Sequence, residues 1–352
     1  MKGLVYHGHE DVRFESAPDP KIEDAHDVVV RIEKTAICGS DLHFWHGEAI
    51  AGLPPFLLGH EFAGVVEDAG SAVERFRKGD RVLVSCTVGC GRCDECRDHR
   101  YGGCSTLTGG IPYSNVFGNP LRQGGQAEAA RVPFADANLF RVPDGMDYER
   151  GLFLTDVLPT GYMGAELAEV GPGDVVVVFG CGPVGTFAQR GAQLRGASQV
   201  FAVDLDDARL ARARARGCTP VNPRTQDVKE TVREATRGRG ADCAIEAIGL
   251  PSLVAQAIDV VRFGGRVAVI GVMPAGDVAL PWTTGVMGRN LTLRSALVEP
   301  QNYVPKLLPL IEQGRLDPTE IITHRLPLAD GARGYEIFAA HDEDALKVVL
   351  TP

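Results

Sequence analysis

Apolar and polar residues follow two different rhythms along this chain. In the first part, short runs of β type are broken by glycine and proline, without the longer apolar periods that an α-helix requires. These runs are VVVRIEKTAI, FAGVVEDAG, DRVLVSC and AEAARVPF, all before about residue 155. This part of the chain is therefore predicted to be rich in β-structure.

After about residue 170, continuous apolar runs alternate with segments of helical spacing. Four runs are predicted as buried strands: VVVVF (175–179), QVFAVD (199–204), DCAIEAIG (242–249) and RVAVIGV (266–272). The segments between them that are predicted as helices are GPVGTFAQRGAQLRG, DARLARARARG and PSLVAQAIDVVRFGG. This alternation predicts an α/β fold with a doubly wound parallel sheet. The tail from about residue 298 is predicted to hold a helix and mixed segments.

Length, charge and cysteine content narrow the classes of protein that fit. A chain of 352 residues is expected to form two domains. The formal charge of -10 argues against a nucleic-acid partner and favours a small molecule. No apolar run reaches the length of about 18 residues that a membrane span needs. Nine cysteines are few for a secreted disulfide scaffold and the opening residues lack an export pattern, so a cytoplasmic protein with reduced thiols is expected.

Four cysteines lie close together in GCGRCDECRDHRYGGC, residues 89–104. Disulfides are disfavoured by the expected compartment, and a redox Cys-x-x-Cys pair normally stands alone at a helix start. Four thiolates about 2.3 Å from a tetrahedral zinc ion need a tightly looping segment, which the glycines here permit. We therefore predict a closed, structural zinc lobe at about residues 86–106, with the ligands Cys90, Cys93, Cys96 and Cys104. Cys86 lies outside this spacing and is interpreted as an ordinary buried cysteine.

The segment GCGPVG, residues 180–185, fits the dinucleotide-binding pattern G-x-G-x-x-G. It follows a predicted buried strand and opens a predicted helix, and Asp204 ends the next strand, which together make the match specific. Gly180 permits the turn, Gly182 admits a pyrophosphate and Gly185 lets helix pack on strand, while Pro183 and Val184 begin the helix. Asp204 is predicted to bind the adenosine ribose and to favour NAD over NADP. Arg209 is the nearby cation that could weaken that preference.

Two further segments, TAICGSDLHFWHGE (35–48) and LLGHEFAG (57–64), supply Cys38, His43, His60 and Glu61. A thiolate and an imidazole from separate segments can bind a second zinc ion that keeps one position open, provided that a third ligand arrives from elsewhere.

Taken together, these motifs resemble those of the zinc-containing medium-chain alcohol dehydrogenase family, nearly from end to end. CGSDLH, GHE, the four-cysteine lobe, GCGPVG and the closing GRLDPTEIITHRLPLADGARGYEIF stand in the family's order. The resemblance implies a GroES-like β-rich catalytic domain formed by residues 1–155 and 298–352, and a Rossmann NAD-binding domain formed by residues 156–297.

The resemblance also implies a ligand set for the catalytic zinc. Cys38 and His60 would bind the metal, with Glu61 beside it as an alternative ligand or as a support for the ligands. Many members use a cysteine as the third ligand, but the matching residue in FLTDVLPTGYMGAE is Asp156. That aspartate is similar to the secondary-alcohol and formaldehyde dehydrogenase branches; the alternative is that it caps the helix that follows.

The activity implied is reversible, NAD-linked oxidation of a small primary or secondary alcohol to an aldehyde or ketone, through a zinc-bound alkoxide and hydride transfer. By resemblance, Ser40 relays the proton through the cofactor ribose to His43. Thr160 is expected to contact the nicotinamide, and Asp41 to support the zinc ligands.

Several alternatives stay open at this point. They are a formaldehyde dehydrogenase-like enzyme, a polyol or amino-alcohol (threonine) dehydrogenase, and a zinc- and dinucleotide-binding redox sensor without turnover. By resemblance, NLTLRSAL (290–297) could pair across a subunit interface in a homodimer or homotetramer, although an interior strand would show the same pattern.

Overall fold

The computed structural model describes residues 1–48, 52–273, 277–340 and 342–352. Its internal packing divides the chain into two units. Unit 1 comprises Met1–Pro159 and Val298–Pro352, and unit 2 comprises Thr160–Leu297.

The regular elements alternate in kind along the chain. The strands are β1 (Lys2–Gly8), β2 (Asp11–Ser16), β3 (Val28–Ile37), β4 (Phe56–Leu57), β5 (Glu61–Ala69), β6 (Arg81–Val84), β7 (Ala129–Val132), β8 (Leu139–Arg141), β9 (Val175–Phe179), β10 (Gln199–Val203), β11 (Thr219–Val221), β12 (Ala241–Glu246), β13 (Val261–Val269), β14 (Thr292–Ser295), β15 (His324–Pro327) and β16 (Val348–Thr351). The α-helices are α1 (Asp41–Trp45), α2 (Asp94–Arg97), α3 (Ser105–Thr108), α4 (Ala135–Asn138), α5 (Tyr148–Leu152), α6 (Val157–Leu167), α7 (Pro183–Leu194), α8 (Asp207–Ala215), α9 (Val228–Ala235), α10 (Pro251–Val260), α11 (Pro300–Glu312) and α12 (Gly331–Ala340). Shorter 3₁₀ and π turns cover Tyr101–Gly103, Phe153–Thr155, Trp282–Val286, Met287–Arg289, Pro318–Ile321, Leu328–Asp330 and Asp342–Asp344.

Unit 1 is built mainly from antiparallel strands. Its larger sheet has the order β15-β16-β3-β5-β6-β8, and β7 also pairs with β3. A smaller sheet has the order β2-β1-β4. Apolar side chains of the larger sheet, among them Val28, Val30, Phe62, Val66 and Val84, are buried together in one core cluster. This is the β-rich part that the sequence predicts.

The register of three neighbouring strands brings distant segments to one end of this sheet. In the pairing of β3 with β5, Ala36 lies opposite Glu61, and in the pairing of β16 with β3, Val348 lies opposite Ile37. Residues that directly follow β3 or precede β5 and β16 therefore meet at one edge. The order of the strands, more than their sequence separation, decides which side chains can share a site.

Unit 2 contains a parallel sheet in the order β11-β10-β9-β12-β13-β14. Counted from β9, this is the order 3-2-1-4-5-6 of a doubly wound nucleotide-binding fold, whose crevice opens beyond the carboxyl ends of β9 and β12. The α/β fold class with a GroES-like and a Rossmann part is thereby confirmed. The core combines strand residues such as Val177, Phe179 and Val203 with helix residues such as Val254 and Ile258.

One predicted boundary in unit 2 is wrong. The apolar pattern predicts a helix through PSLVAQAIDVVRFGG and a strand from residue 266, but α10 ends at Val260 and β13 begins at Val261. Val261 already pairs with Ala241 of β12, and the register then shifts before Cys243 pairs with Arg266. The strand thus contains an irregularity around the glycine pair, which sequence periodicity does not reveal.

Candidate active site

Three side chains capable of binding a metal converge at the shared edge of β3 and β5. Cys38 follows β3, His60 precedes β5, and Asp156 lies between the turn Phe153–Thr155 and α6. One ligand atom from each lies within 4.8 Å of the other two. The Asp156 Oδ2 atom is 3.4 Å from the Cys38 Sγ atom and 3.3 Å from the His60 Nε2 atom. All three residues are buried.

The chemistry of these three donors fits a zinc ion. Thiolate, imidazole and carboxylate are all zinc ligands, and catalytic zinc sites use three protein donors and keep a further position for water or substrate. Burial raises the pKa of the Cys38 thiol. Burial also acts to raise the pKa of Asp156, but the hydrogen bond and charge of His60 bring that pKa below its usual value. A bound cation would compensate the anionic forms of both groups and displace the protons they share with His60.

A chain of buried polar side chains supports His60 from behind. The His60 Nδ1 atom lies 3.3 Å from the Asp41 Oδ1 atom, while Asp41 Oδ2 accepts hydrogen bonds from the Cys38 amide at 2.9 Å and from Gln126 at 3.1 Å. The Tyr335 hydroxyl donates to Gln126 Oε1 at 2.7 Å. Burial on its own lowers the pKa of His60, yet the Asp41 carboxylate helps to raise it well above its usual value. This arrangement leaves Nε2 facing Cys38 and Asp156.

Glu61 is buried beside this cluster but is not one of its three converging donors. Its Oε2 atom pairs with the ammonium group of Lys347, which directly precedes β16. Its Oε1 atom accepts a hydrogen bond from the Val157 amide at 3.4 Å. The structure therefore places Glu61 against the start of α6.

Ser40 and His43 lie on the other side of the cluster. Ser40 precedes α1, and its Oγ atom is 3.2 Å from the His60 Nε2 atom. His43 lies within α1, and its Nδ1 atom is 2.6 Å from a carboxylate oxygen of Glu48. Ser40 thus borders the donors directly, whereas His43 is partly exposed and pairs with a carboxylate that the sequence analysis did not consider.

The four cysteines of the lobe also converge. Their Sγ atoms all lie within 4.8 Å of one another, with Cys90 and Cys96 4.0 Å apart and Cys93 and Cys104 3.9 Å apart. A regular tetrahedron with zinc–sulfur bonds of about 2.3 Å has sulfur atoms about 3.8 Å apart. None of these thiols forms a disulfide. The lobe therefore has the size and ligands of a closed zinc site.

Backbone amides favour thiolates in the lobe. The Cys90 amide donates to Cys104 Sγ and the Cys93 amide donates to Cys90 Sγ, each at 3.3 Å. Burial acts to raise the pKa of Cys93, but hydrogen bonds from neighbouring amides lower it to about 6. Such thiols are preformed for a metal ion.

The lobe is fastened to the start of α11. Glu299 accepts a hydrogen bond from the Gly102 amide at 2.8 Å, and Asn302 donates to the His99 carbonyl at 2.9 Å. Next to the lobe, the Thr87 hydroxyl donates to the Val298 carbonyl at 2.8 Å. These contacts tie residues 87–102 to a segment almost 200 residues later in the chain.

Within unit 2, the turn of GCGPVG joins β9 to α7. Gly180 has a φ of +101°, a conformation that favours glycine, and a Cβ atom on Gly185 would lie 2.0 Å from the Gly180 carbonyl oxygen. A Cβ atom on Gly182 would meet nothing within 4 Å, so the chain leaves open space at the N-terminus of α7. Pro183 starts the helix and is half-buried, as is Val184. The turn and helix dipole fit a dinucleotide pyrophosphate.

Asp204 follows β10 and faces this turn. Its Oδ2 atom accepts a hydrogen bond from the Cys181 amide at 2.7 Å, and its Oδ1 atom accepts one from the Asp206 amide at 3.0 Å. The guanidinium group of Arg209 lies 3.7 Å from the Asp206 carboxylate. Thr160, the other residue expected at the cofactor, is a buried residue of α6 within unit 2.

Sequence reasoning missed four buried residues around the donors: Lys347, Gln126, Tyr335 and the contact of Cys86. The Cys86 Sγ atom lies 3.7 Å from Asp156 Oδ1, so this cysteine borders the open donor set and not the lobe. A weak signal for Lys347 is its position directly before the apolar run VVL. Gln126 and Tyr335 carry no local signal, because their partners lie 85 and 209 residues away.

Comparison with known proteins identifies both parts of the chain. Residues 24–144 match the family model of the alcohol dehydrogenase GroES-like domain, and residues 183–313 match that of the zinc-binding dehydrogenases. Fold and donor sets together thus define an oxidoreductase of the zinc-binding dehydrogenase class.

Individual relatives cover the whole chain. A probable zinc-binding alcohol dehydrogenase of Mycobacterium tuberculosis is 39% identical over 352 residues, which cover 100% of this chain and 89% of that protein. The solved structure of alcohol dehydrogenase TADH from Thermus sp. ATN1 is 37% identical with a TM-score of 0.92, covering 100% and 99% of the two chains. The apo form of zinc dependent alcohol dehydrogenase 2 from Streptococcus pneumonia is 34% identical with a TM-score of 0.89, covering 100% and 98%. The chain belongs to the zinc-containing medium-chain alcohol dehydrogenase family, as its motifs predict.

None of the helices in the described part of the chain is both long and apolar enough to span a membrane.

Proposed function

We propose that this chain is an NAD-dependent alcohol dehydrogenase that reversibly oxidises a small primary or secondary alcohol. The observation that carries the proposal is the convergence of Cys38, His60 and Asp156. Among the residues that the structure describes, these donors number one fewer than a closed tetrahedral site requires, which leaves a position for a substrate oxygen.

The residues of the chain divide the work around that position. When bound, zinc supplies a Lewis acid at the alcohol oxygen and NAD supplies the hydride acceptor. Asp41 holds the Nδ1–H tautomer of His60, so that Nε2 remains a donor atom for the metal. Ser40 Oγ accepts the proton that leaves the substrate hydroxyl, and His43, paired with Glu48, is the last group before solvent.

We further propose two zinc ions per chain, one in the lobe and one at the open donor set. The sulfur separations of 3.9 and 4.0 Å support the first, and the mixed donors support the second. Metal analysis of the purified protein is expected to find both ions.

The preference for NAD is proposed from Asp204. Its carboxylate stands at the end of β10 beside the glycine turn, where a negative charge would bind ribose hydroxyls and repel a 2′-phosphate. Asp204→Asn removes the charge and keeps one acceptor oxygen. The ratio of kcat/KM with NADP to kcat/KM with NAD is expected to rise by about tenfold, which corresponds to about 1.4 kcal/mol. An unchanged ratio would show that Asp204 does not select the cofactor.

The activity is tested by incubating the zinc-loaded protein with NAD and a panel of primary, secondary and polyol alcohols and formaldehyde. NADH formation with small alcohols is expected. Turnover of formaldehyde alone or of polyols alone would move the proposal to another branch of the family. A protein that binds NADH but turns over none of these compounds would instead be a redox sensor.

For the assembly, we propose a homodimer or homotetramer in which β14 pairs with a second copy. This strand is at the edge of the unit 2 sheet, and Arg294 and Ser295 within it are exposed. Exposed edge strands are ready to pair with another chain. A cytoplasmic location is proposed from the nine free cysteines.

A further inference from the structure

The buried ion pair between Glu61 and Lys347 requires an explanation beyond stability. Both side chains are completely buried, and two charges withdrawn from water gain little over apolar residues of the same size. The pair crosses β3, since Glu61 begins β5 and Lys347 precedes β16, the strands on either side of β3. It therefore lies at the sheet edge where the metal donors converge.

Glu61 is also a capable metal ligand next to the donor set. It follows His60 directly in sequence, and a carboxylate oxygen binds zinc as readily as the one that Asp156 offers. Yet both of its oxygens are engaged elsewhere, Oε2 by the Lys347 ammonium group and Oε1 by the Val157 amide. Val157 follows Asp156, so the same carboxylate that is withheld from the metal fixes the backbone that presents Asp156.

The charges agree with this division. A Cys38 thiolate and an Asp156 carboxylate balance the two positive charges of zinc, while His60 is neutral as a ligand. Glu61 would add a third anion and occupy the remaining position. Lys347 neutralises Glu61 without supplying a donor atom to the metal, because an ammonium group has no lone pair.

We propose that Lys347 is a positioning residue that retains Glu61 at the start of α6 and thereby keeps the fourth position on the metal open for the alcohol. This inference rests on the proposed function of the Cys38–His60–Asp156 site. Without the lysine, the nearest compensating cation for the buried carboxylate is the metal itself, so Glu61 would become a ligand.

The test uses the full-length protein loaded with Co²⁺, whose visible spectrum reports coordination number without turnover. In Lys347→Met, the bands of the open site are expected to weaken as four-coordinate cobalt gains an oxygen ligand, and kcat/KM of the zinc form is expected to fall by about 10- to 100-fold. Asp156→Ala provides the spectrum of the lobe alone for subtraction. In Glu61→Gln/Lys347→Met, the four-coordinate spectrum is expected to return and the activity to recover in part.

Two variants separate positioning from general damage. Arg131→Met removes the cation that pairs with the buried Asp27 elsewhere in unit 1, and it is expected to leave the cobalt spectrum unchanged. Lys347→Gln keeps a hydrogen-bond donor, removes only the charge, and replaces Lys347→Met if the latter does not fold. The spectral change is expected in the same direction.

The outcomes divide as follows. An unchanged cobalt spectrum in Lys347→Met or Lys347→Gln, or a changed spectrum that Glu61→Gln does not reverse, would overturn the role of Lys347 while leaving the proposed function intact. A wild-type spectrum identical to that of Asp156→Ala would mean that no metal binds the open set, and it would overturn the proposed function and this inference together.

Discussion

The two donor sets of unit 1 are assembled in opposite ways. The lobe cysteines span 14 residues, and amides of the same loop favour their thiolates. The open set joins Cys38 to Asp156 across 118 residues, and each of its donors is held by buried polar groups from other strands and helices. A site with four local ligands is defined by its own loop. A site that leaves one position open depends on the surrounding fold to hold three ligands apart from a fourth.

The largest effect that can test this contrast is expected at Asp156. Asp156→Ala removes a metal donor, and because a metal Lewis acid supplies several kcal/mol to the reaction, kcat/KM is expected to fall by at least about 1000-fold. Zinc content is expected to fall from two ions to one, with the lobe ion retained. Asp156→Cys, which restores a donor that many family members use, is the matched control. Full activity in Asp156→Ala would remove this residue from the ligand set.

A change in the lobe is expected to act on stability instead. Cys90→Ser should lower the free energy of unfolding by on the order of 3 kcal/mol, because a buried metal ligand is lost. Chemical denaturation measures the loss, and activity per folded molecule is expected to persist. Cys243→Ser changes a buried thiol outside both sets and serves as control. A fully stable Cys90→Ser protein that has lost lobe zinc would contradict a structural role for the lobe.

The next effect concerns the support behind the open set. In Asp41→Asn, an amide group replaces one of two oxygens, so at least one of the donors from Cys38, Gln126 and His60 loses its acceptor. The zinc affinity of the open site is expected to fall by about 10- to 100-fold, measured by competition with a chelator. Asp27→Asn alters another buried aspartate, which accepts from Asp24 and Arg131, and should leave that affinity unchanged. Equal zinc affinity in both variants would refute the dependence on outer support.

The smallest effect is expected from the attachment of the lobe. Glu299→Ala removes the acceptor of the Gly102 amide, which should lower the free energy of unfolding by about 1 kcal/mol. The lobe is expected to retain its zinc, since its ligands are local. Loss of the lobe ion from this variant would show that the lobe, too, is held by the fold, and the contrast between the two sets would disappear.

The sequence predicts those features whose residues are neighbours in the chain. The lobe ligands, the turn of GCGPVG and the strands β9 and β10 follow from local spacing and apolar runs. The boundary between α10 and β13 could not be found in this way, because the pairing of Val261 with Ala241 overrides a continuing helical pattern.

The support of the open set is also beyond sequence reasoning. Lys347 meets Glu61 across 286 residues, and only the order β16-β3-β5 makes them neighbours. A buried lysine contradicts the usual preference of that residue for solvent, so no pattern based on hydrophobicity would place it there. The same holds for the chain from Tyr335 through Gln126 to Asp41, whose members lie in separate segments.

The hydrogen bond from the Cys181 amide to Asp204 has a consequence for anyone redesigning this enzyme to use phosphorylated cofactors. The carboxylate that discriminates against NADP also braces the loop on which either cofactor would rest. Replacing it with glycine would therefore alter selectivity and loop rigidity at once, and a gain in preference could be masked by weaker binding of both nucleotides. Engineering should begin with side chains that keep an acceptor at this position and introduce the new phosphate contact from a neighbouring residue.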